Sequence, residues 1–302
     1  MMEGKVVVVT GAGRGIGAAI ARLAAAEGAK VVVNDIGVSL EGQNPDATPA
    51  QEVVNEIKKA GGEAVANSDS VAEFASAKKI IDCAVDTFGR IDSVVNNAGI
   101  LRDVIFHKMT EQDWDAVTNV MLKGAFNTSR HAAEHFRKQE SGSLVHMTST
   151  SGLIGGMGQV NYGAAKLGMV ALSKAIAVDM ARYNVRSNCV APVAWTRMTA
   201  SIPPKDPATA ARIEQRKKVT PEHNAPIVVF LCSDAAKDVN AQVFCVRKNE
   251  LFLMSQSRPI RSVHQAEGWT PQDCATHMLP ALKSSFLPPL ERTADVFSWD
   301  SI

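Results

Sequence analysis

Three residues whose types can hold an oxygen and move its proton lie close together in the chain: Ser149, Tyr162 and Lys166. Tyr162 and Lys166 are four apart in Gln159-Val160-Asn161-Tyr162-Gly163-Ala164-Ala165-Lys166, a spacing that puts both on one face of a helix. A free phenol has a pKa of about 10, too high for a general base at neutral pH. A neighbouring ammonium and an oxidised nicotinamide would each favour the phenolate, which makes the tyrosine usable as an acid/base near pH 7. Ser149 can hold a substrate oxygen through its hydroxyl. No GxSxG elbow surrounds it, so it does not read as an acyl nucleophile. The chemistry suggested is proton movement at an alcohol or carbonyl, with hydride transfer beside it.

The second chemical feature is Thr10-Gly11-Ala12-Gly13-Arg14-Gly15-Ile16-Gly17, between the valine run of residues 5–10 and an alanine-rich stretch. A glycine-rich turn lets backbone approach a pyrophosphate, and a following helix N-terminus supplies free N–H groups and positive dipole. Asp35 follows at the end of the next valine run, eighteen residues after Gly17. A carboxylate there accepts hydrogen bonds from the adenosine ribose hydroxyls and repels a 2′-phosphate. Ile36 and Gly37 come next rather than Arg or Lys, which favours NAD over NADP. Arg14 in the loop is the one basic residue that could hold a 2′-phosphate.

These features need a scaffold, and the patterning supplies one. Strands are predicted at 5–10, 31–34, 64–67, 93–96, 144–147 and 186–190. Helices are predicted from the glycine loop to Ala29 and over 52–60, 75–88, 114–137 and 162–182. Continuous apolar strands alternating with helices predict an α/β Rossmann fold, a doubly wound parallel sheet in a single domain. That domain is expected over 1–254, with a C-terminal extension (255–302) packed on it. The proline-rich stretch 191–226 reads as the substrate loop. A helix at 225–233, a hairpin-like pair at 242–246 and 251–254, and one helix starting near Pro271 complete the expectation.

Composition removes several function classes. Of 302 residues, 46% are hydrophobic and the formal net charge is +1, so a large core is available and no strong field exists to capture nucleic acid or an anionic membrane. No apolar run reaches membrane-spanning length, and the near-immediate first strand leaves no room for a signal peptide. Five scattered cysteines form no metal-ligand spacing and suit a reducing cytosol, so a cytoplasmic location is expected. His131 and His135 share a helix face, but without a third ligand they predict no metal. Arg212, Arg216, Lys217 and Lys218 form a basic patch that reads as a solvated face, with CoA phosphates as the alternative. Arg258 and Arg261 are open to the same two readings.

Four separated motifs, Thr10-Gly11…Gly15-Ile16-Gly17, Asn96-Asn97-Ala98-Gly99, Ser149 and Tyr162-xxx-Lys166, resemble the signature of the short-chain dehydrogenase/reductase family across residues 5–200. The resemblance implies that Asn97, Ala98 and Gly99 lie against the cofactor, that Asp69 with Ser70 and Val71 meets the adenine, and that Thr196 bonds the nicotinamide amide. Val33-Asn34-Asp35-Ile36-Gly37, Ile100-Leu101-Arg102-Asp103 and Tyr162-Gly163-Ala164-Ala165-Lys166-Leu167-Gly168 are further similar to the dehydrogenase unit of peroxisomal type 2 multifunctional enzymes. This likeness implies a 3-hydroxyacyl-CoA substrate, with a hydroxysteroid or other bulky secondary alcohol as the alternative, and a homo-oligomer joined through the helices of 114–137 and 162–182. Met121 departs from the asparagine usual in the family, and Asn119, about 200° around the helix, is no replacement. Val193 departs from the glycine that commonly follows the proline. The Met121 departure is the only support for a rival reading, an NAD-binding regulator that has lost its chemistry.

Overall fold

A computed structural model describes the chain except residues 38–47, 196–213, 215–216, 288–291 and 298–302. Eight strands form one sheet in the order β3-β2-β1-β4-β5-β6-β7-β8. These are β1 (Val6–Thr10), β2 (Lys30–Asn34), β3 (Glu63–Asn67), β4 (Ser93–Asn96), β5 (Gly142–Met147), β6 (Val185–Val193), β7 (Val243–Arg247) and β8 (Glu250–Leu253). The first seven run parallel, and β8 returns antiparallel against β7. The strand order reverses between β1 and β4, and at such a switch point the carboxyl ends of the strands leave a crevice for a ligand. Thr10, Asn34, Asn67, Asn96 and Met147 close their strands at this edge.

The valine runs are buried because helices cover both faces of the sheet. Alternate residues serve opposite layers, as the two-residue strand repeat requires. Val7, Val9, Val31 and Val33 pack in one cluster, beneath α1 (Gly15–Ala26), α2 (Thr48–Lys59) and α8 (Ala225–Cys232). Val6, Val8, Val32 and Val94 pack in the other, with α3 (Phe74–Phe88) and α5 (Gly124–Gln139).

The helix predicted over 114–137 differs from expectation. It begins earlier, as α4 (Glu111–Thr118), because Thr110 and Asp113 form a capping box. It then passes through one π-helical turn, Asn119–Lys123, before α5. Such bulges are rare and cluster at functional sites, and this turn carries Met121. α7 (Val160–Asp179) starts before Tyr162 and gives way to a short 3-10 turn, Ala181–Tyr183. Beyond β8 the described tail contains only short helical pieces, the first at Pro271–Asp273 with a Thr270 capping box. Among the described residues no helix is long and apolar enough to cross a membrane.

Candidate active site and nucleotide cradle

The glycine loop leaves β1 at the switch point. Gly11 and Gly15 adopt φ of +64° and +55°, a region open to glycine at little cost. Gly17 is required for a different reason: a Cβ there would lie 2.6 Å from Asn97 Nδ2 and closer still to the Gly11 carbonyl oxygen. Arg14 is the N-cap of α1 but makes no side-chain cap, and no acidic residue occupies the first turn. Ile16 packs its side chain against the α1 side of the core. The loop thus presents an uncapped helix N-terminus with close backbone access, which fits a pyrophosphate.

Asn97 holds this loop from β4. Its Nδ2 donates to the carbonyls of Thr10 and Gly11, both at 3.0 Å. The Thr10 hydroxyl accepts from the backbone N–H of Asn97 and of Ala98, each at 3.1 Å, and donates to the Val95 carbonyl at 3.3 Å. Asn97 and Ala98 thus clamp the cradle, a structural role beyond the cofactor contact expected of them. Gly99 follows where a Cβ would lie 2.8 Å from Met121 Cε.

Asp35 sits beside the cradle. Oδ2 accepts from Gly13 N at 2.8 Å and Oδ1 from Gly37 N at 2.7 Å. A carboxylate offers about four lone-pair positions, so these two bonds orient it and leave capacity for ribose hydroxyls. Arg14 is exposed. On the far side, Asp69 is held by Asn67 Nδ2 (2.9 Å) and the Ser76 hydroxyl (3.3 Å). The Ser70 hydroxyl accepts from Ala72 N at 3.2 Å. Buried Asn127 on α5 donates to the Val71 carbonyl at 2.8 Å, fixing the Asp69–Val71 turn in a way no motif signalled.

Ser149, Tyr162 and Lys166 converge beyond the end of β5. The Ser149 Oγ accepts from Ser151 N at 3.1 Å, starting the short helix α6 (Thr150–Leu153). α6 lies tight on α7: a Cβ on Gly152 would meet Leu167 N at 2.8 Å and Gly163 O at 3.0 Å. Thr148 Oγ1 donates to the Lys166 carbonyl at 2.6 Å. Lys166 is 4% exposed, and its ammonium donates to the Met147 carbonyl at 2.5 Å and lies 5.6 Å from the Tyr162 ring centre.

The electrostatics differ from the simple expectation. Burial raises the Tyr162 phenol, the Ser149 hydrogen bond opposes this, and the Asp103 charge adds to it. Burial also lowers Lys166 to about 8, against a smaller raising influence from Cys189. The ammonium lies beside the Tyr162 ring as its spacing predicts, but desolvation is the largest influence on both groups and leaves the phenol raised.

Met121 is buried with Ile100, Val117 and Ala165 and packs beside Tyr162, so the position usual for asparagine carries an apolar plug. Asn119 is exposed, in accord with its different helix face. Val193 is tied by buried Asn224, whose Oδ1 accepts Val193 N (3.2 Å) and whose Nδ2 donates to Val193 O (3.0 Å). The expected contact of Thr196 lies outside the described residues, as do Arg212 and Arg216. Lys217 pairs with Glu214 at 2.6 Å and Lys218 is exposed. Arg261 reaches the Ser284 and Ser285 hydroxyls at 3.2 and 3.3 Å, and Arg258 bonds the Ser257 carbonyl at 2.8 Å. His131 bonds the Phe74 carbonyl at 2.9 Å and packs on its ring at 4.2 Å.

Comparison with known proteins agrees with this fold. The family model described as short chain dehydrogenase matches residues 5–207. A short-chain type dehydrogenase/reductase of Mycobacterium tuberculosis is 49% identical over 81% of this chain and 82% of its own length. A hydroxyacyl-CoA dehydrogenase of the same organism is 41% identical over 84% of this chain and 80% of its own. The peroxisomal multifunctional enzyme type 2 of Mus musculus is 43% identical over 78% of this chain, which spans only 31% of that enzyme. A crystal structure of a short chain dehydrogenase from Mycobacterium avium superposes with a TM-score of 0.82 at 40% identity, covering 96% of this chain and 98% of that one.

Proposed function

This chain belongs to the short-chain dehydrogenase family and is an oxidoreductase acting on CH–OH groups; we propose that it is an NAD-dependent 3-hydroxyacyl-CoA dehydrogenase with Tyr162 as its general acid/base. The observation that carries the reading is the convergence of the Ser149 hydroxyl on the half-buried Tyr162 phenol, with the Lys166 ammonium alongside. The acyl-CoA assignment draws on the hydroxyacyl-CoA dehydrogenase among the relatives.

In the oxidising direction Ser149 Oγ donates a hydrogen bond to the substrate oxygen and positions it at Tyr162 Oη. The phenolate removes the hydroxyl proton as the carbonyl forms, and in reduction the phenol returns it. Lys166, fixed by the Met147 carbonyl, stabilises the negative phenolate. The nicotinamide, when bound, accepts or returns the hydride. Gly11, Arg14, Gly15, Ile16 and Gly17 would receive the pyrophosphate and Asp35 the adenosine ribose, whose 2′-phosphorylated form its charge disfavours. Asp69, Ser70 and Val71 would meet the adenine, and Asn97, Ala98, Gly99, Tyr162, Lys166 and Thr196 the nicotinamide half. Residues 1–254 would form the enzyme domain, with 255–302 as an extension.

We further infer a homo-oligomer, since Phe126 on α5 and Leu167 and Val178 on α7 are exposed at 45%, 50% and 76%. Light scattering tests it, and a monomer at micromolar concentration would refute it. The five cysteines are free thiols, which suits a reducing compartment such as the cytoplasm.

The test of function is reduced-cofactor formation by the purified protein, with NAD and NADP in parallel. The panel contains (3R)- and (3S)-hydroxyacyl-CoA, hydroxysteroids and small aryl alcohols. Turnover of one acyl-CoA enantiomer with NAD, lost in Tyr162→Phe, is the expected result. Steroid-only turnover would overturn the substrate class, and equal efficiency with NADP the cofactor. No turnover despite NAD binding would favour the regulator that Met121 suggests.

A further inference from the structure

Asp103 follows β4 and the Gly99 turn, and it reaches across to the start of the catalytic helix. Its Oδ2 accepts a hydrogen bond from Gln159 Nε2 at 2.9 Å. Gln159 immediately precedes α7, three residues before Tyr162. The backbone fastens the same two segments, with Val104 N donating to the Gly158 carbonyl at 2.9 Å. Buried Asn161 adds a third tie: its Nδ2 donates to the Arg102 and Asp113 carbonyls, both at 3.0 Å, and its Oδ1 accepts Tyr162 N at 2.7 Å. The Asp103 carboxylate is therefore held in fixed relation to the turn that presents Tyr162.

Asp103 is exposed as a residue, but its carboxyl group is partly covered where Gln159 closes over it. The cation beside it in sequence, Arg102, pairs its guanidinium with Asp113 at 3.6 Å. Burial raises the Asp103 carboxyl and Gln159 opposes this. Its charge acts on Tyr162 in the direction that disfavours phenolate; among the described residues the Ser149 hydroxyl also meets the phenol and the Lys166 ammonium lies over its ring.

We propose that Asp103 is a specificity-determining residue: a fixed negative charge at the rim of the Tyr162 site that admits 3-hydroxyacyl groups as neutral thioesters and turns away free 3-hydroxy acids. The proposal rests on the alcohol-oxidising reading above and names which form of the acyl group is selected. In a 3-hydroxy acid the carboxylate is two carbons from the carbinol carbon, so binding for reaction brings it within a few ångströms of the phenol. Two carboxylates in that partly desolvated space repel. A thioester carbonyl carries no charge there, so rejection comes from an element built against the wrong substrate. The same charge raises the phenol and leaves less of Tyr162 as phenolate at neutral pH, a cost to rate accepted for discrimination.

The experiment compares kcat/KM for 3-hydroxybutyryl-CoA and for free 3-hydroxybutyrate in the wild type, Asp103→Asn and Asp103→Glu. Asparagine keeps the size and the acceptor for Gln159, so the clamp is retained while the charge goes. Asp103→Asn should raise the free-acid-to-thioester ratio by about tenfold, as expected for removing one partly screened charge, and Asp103→Glu should leave it near the wild-type value. An unchanged ratio in Asp103→Asn overturns the proposal.

A second readout needs no turnover. The chain has two tyrosines, so the tyrosinate absorbance difference between a protein and its Tyr162→Phe counterpart reports Tyr162 alone. Its midpoint should fall in Asp103→Asn relative to wild type, and an unmoved midpoint overturns the electrostatic role. If the wild type oxidises neither compound, the acyl substrate reading fails on its own and the titration still decides whether Asp103 acts on the phenol.

Discussion

Burying Lys166 should leave a measurable imprint on stability. Its folded pKa is about 8 against an ordinary value of 10.5, so the unfolded chain holds this proton more tightly. Stability rises with pH wherever the unfolded state binds more protons. Folding is therefore opposed below pH 8, and the opposition is relieved as pH rises from about 8 to 10.5, the reverse of a lysine that gains a partner. The difference of 2.5 pKa units corresponds to about 3 kcal/mol, at about 1.4 kcal/mol per unit, of which about 2 kcal/mol is recovered by pH 10. Lys166 is 4% exposed, so little solvent screening reduces the figure. Lys166→Met removes the titrating group and also the hydrogen bond to the Met147 carbonyl, a loss of about 1–3 kcal/mol. That loss is nearly constant with pH, so the pH dependence of the difference isolates the charge. Urea unfolding of both proteins at pH 7, 8, 9 and 10 should show wild type gaining about 2 kcal/mol on Lys166→Met over the series. A flat difference would refute the claim that burial, rather than pairing with the phenol, sets this lysine's charge.

Other perturbations have equally definite outcomes. Gly17→Ala places a Cβ against the Gly11 carbonyl and 2.6 Å from Asn97 Nδ2. It should cost about 1–3 kcal/mol of stability by overpacking and weaken NAD binding, read by thermal melting and cofactor titration. His146 is buried, with Nδ1 near Asn96 Nδ2 and Nε2 near the Ser187 hydroxyl, each at 3.2 Å. Burial, with a smaller contribution from Lys166, lowers its pKa from 6.5 to about 4. The stability this neutral histidine contributes is present above pH 6.5 and is lost as pH falls towards 4, up to about 3 kcal/mol. His146→Asn should flatten that acid limb in denaturant titrations from pH 7 to 4. Asp35→Ala removes the acceptor for Gly13 N and Gly37 N and the proposed ribose partner. Loss of a charged hydrogen bond of about 1.5–3 kcal/mol predicts about a 10- to 100-fold fall in kcat/KM with NAD, with a smaller fall for NADP.

Much of the scaffold was legible in the residues because local rules decide it. Runs such as Val6-Val7-Val8-Val9 can be buried on both sides only in a parallel sheet between helices, and that is where they lie. The glycine loop announces itself because a tight turn into a helix excludes side chains, and Gly11, Gly15 and Gly17 each meet that demand. Tyr162 and Lys166 share a face because a helix repeats every 3.6 residues.

What remained needed long-range contact. The π turn at Asn119–Lys123 has no composition of its own, and it forms where the helix carries Met121 past Gly99. Asn127 and Asn224 read as ordinary polar residues until the fold sets their amides against the Val71 and Val193 backbone. The Asp103–Gln159 bond joins positions 56 residues apart, a pairing no local pattern encodes. The charge balance at Tyr162 also belongs to the tertiary structure. Spacing brings the ammonium near the phenol, but only packing decides how much water both lose, and desolvation grows with that burial while the pair's separation is already set by the helix.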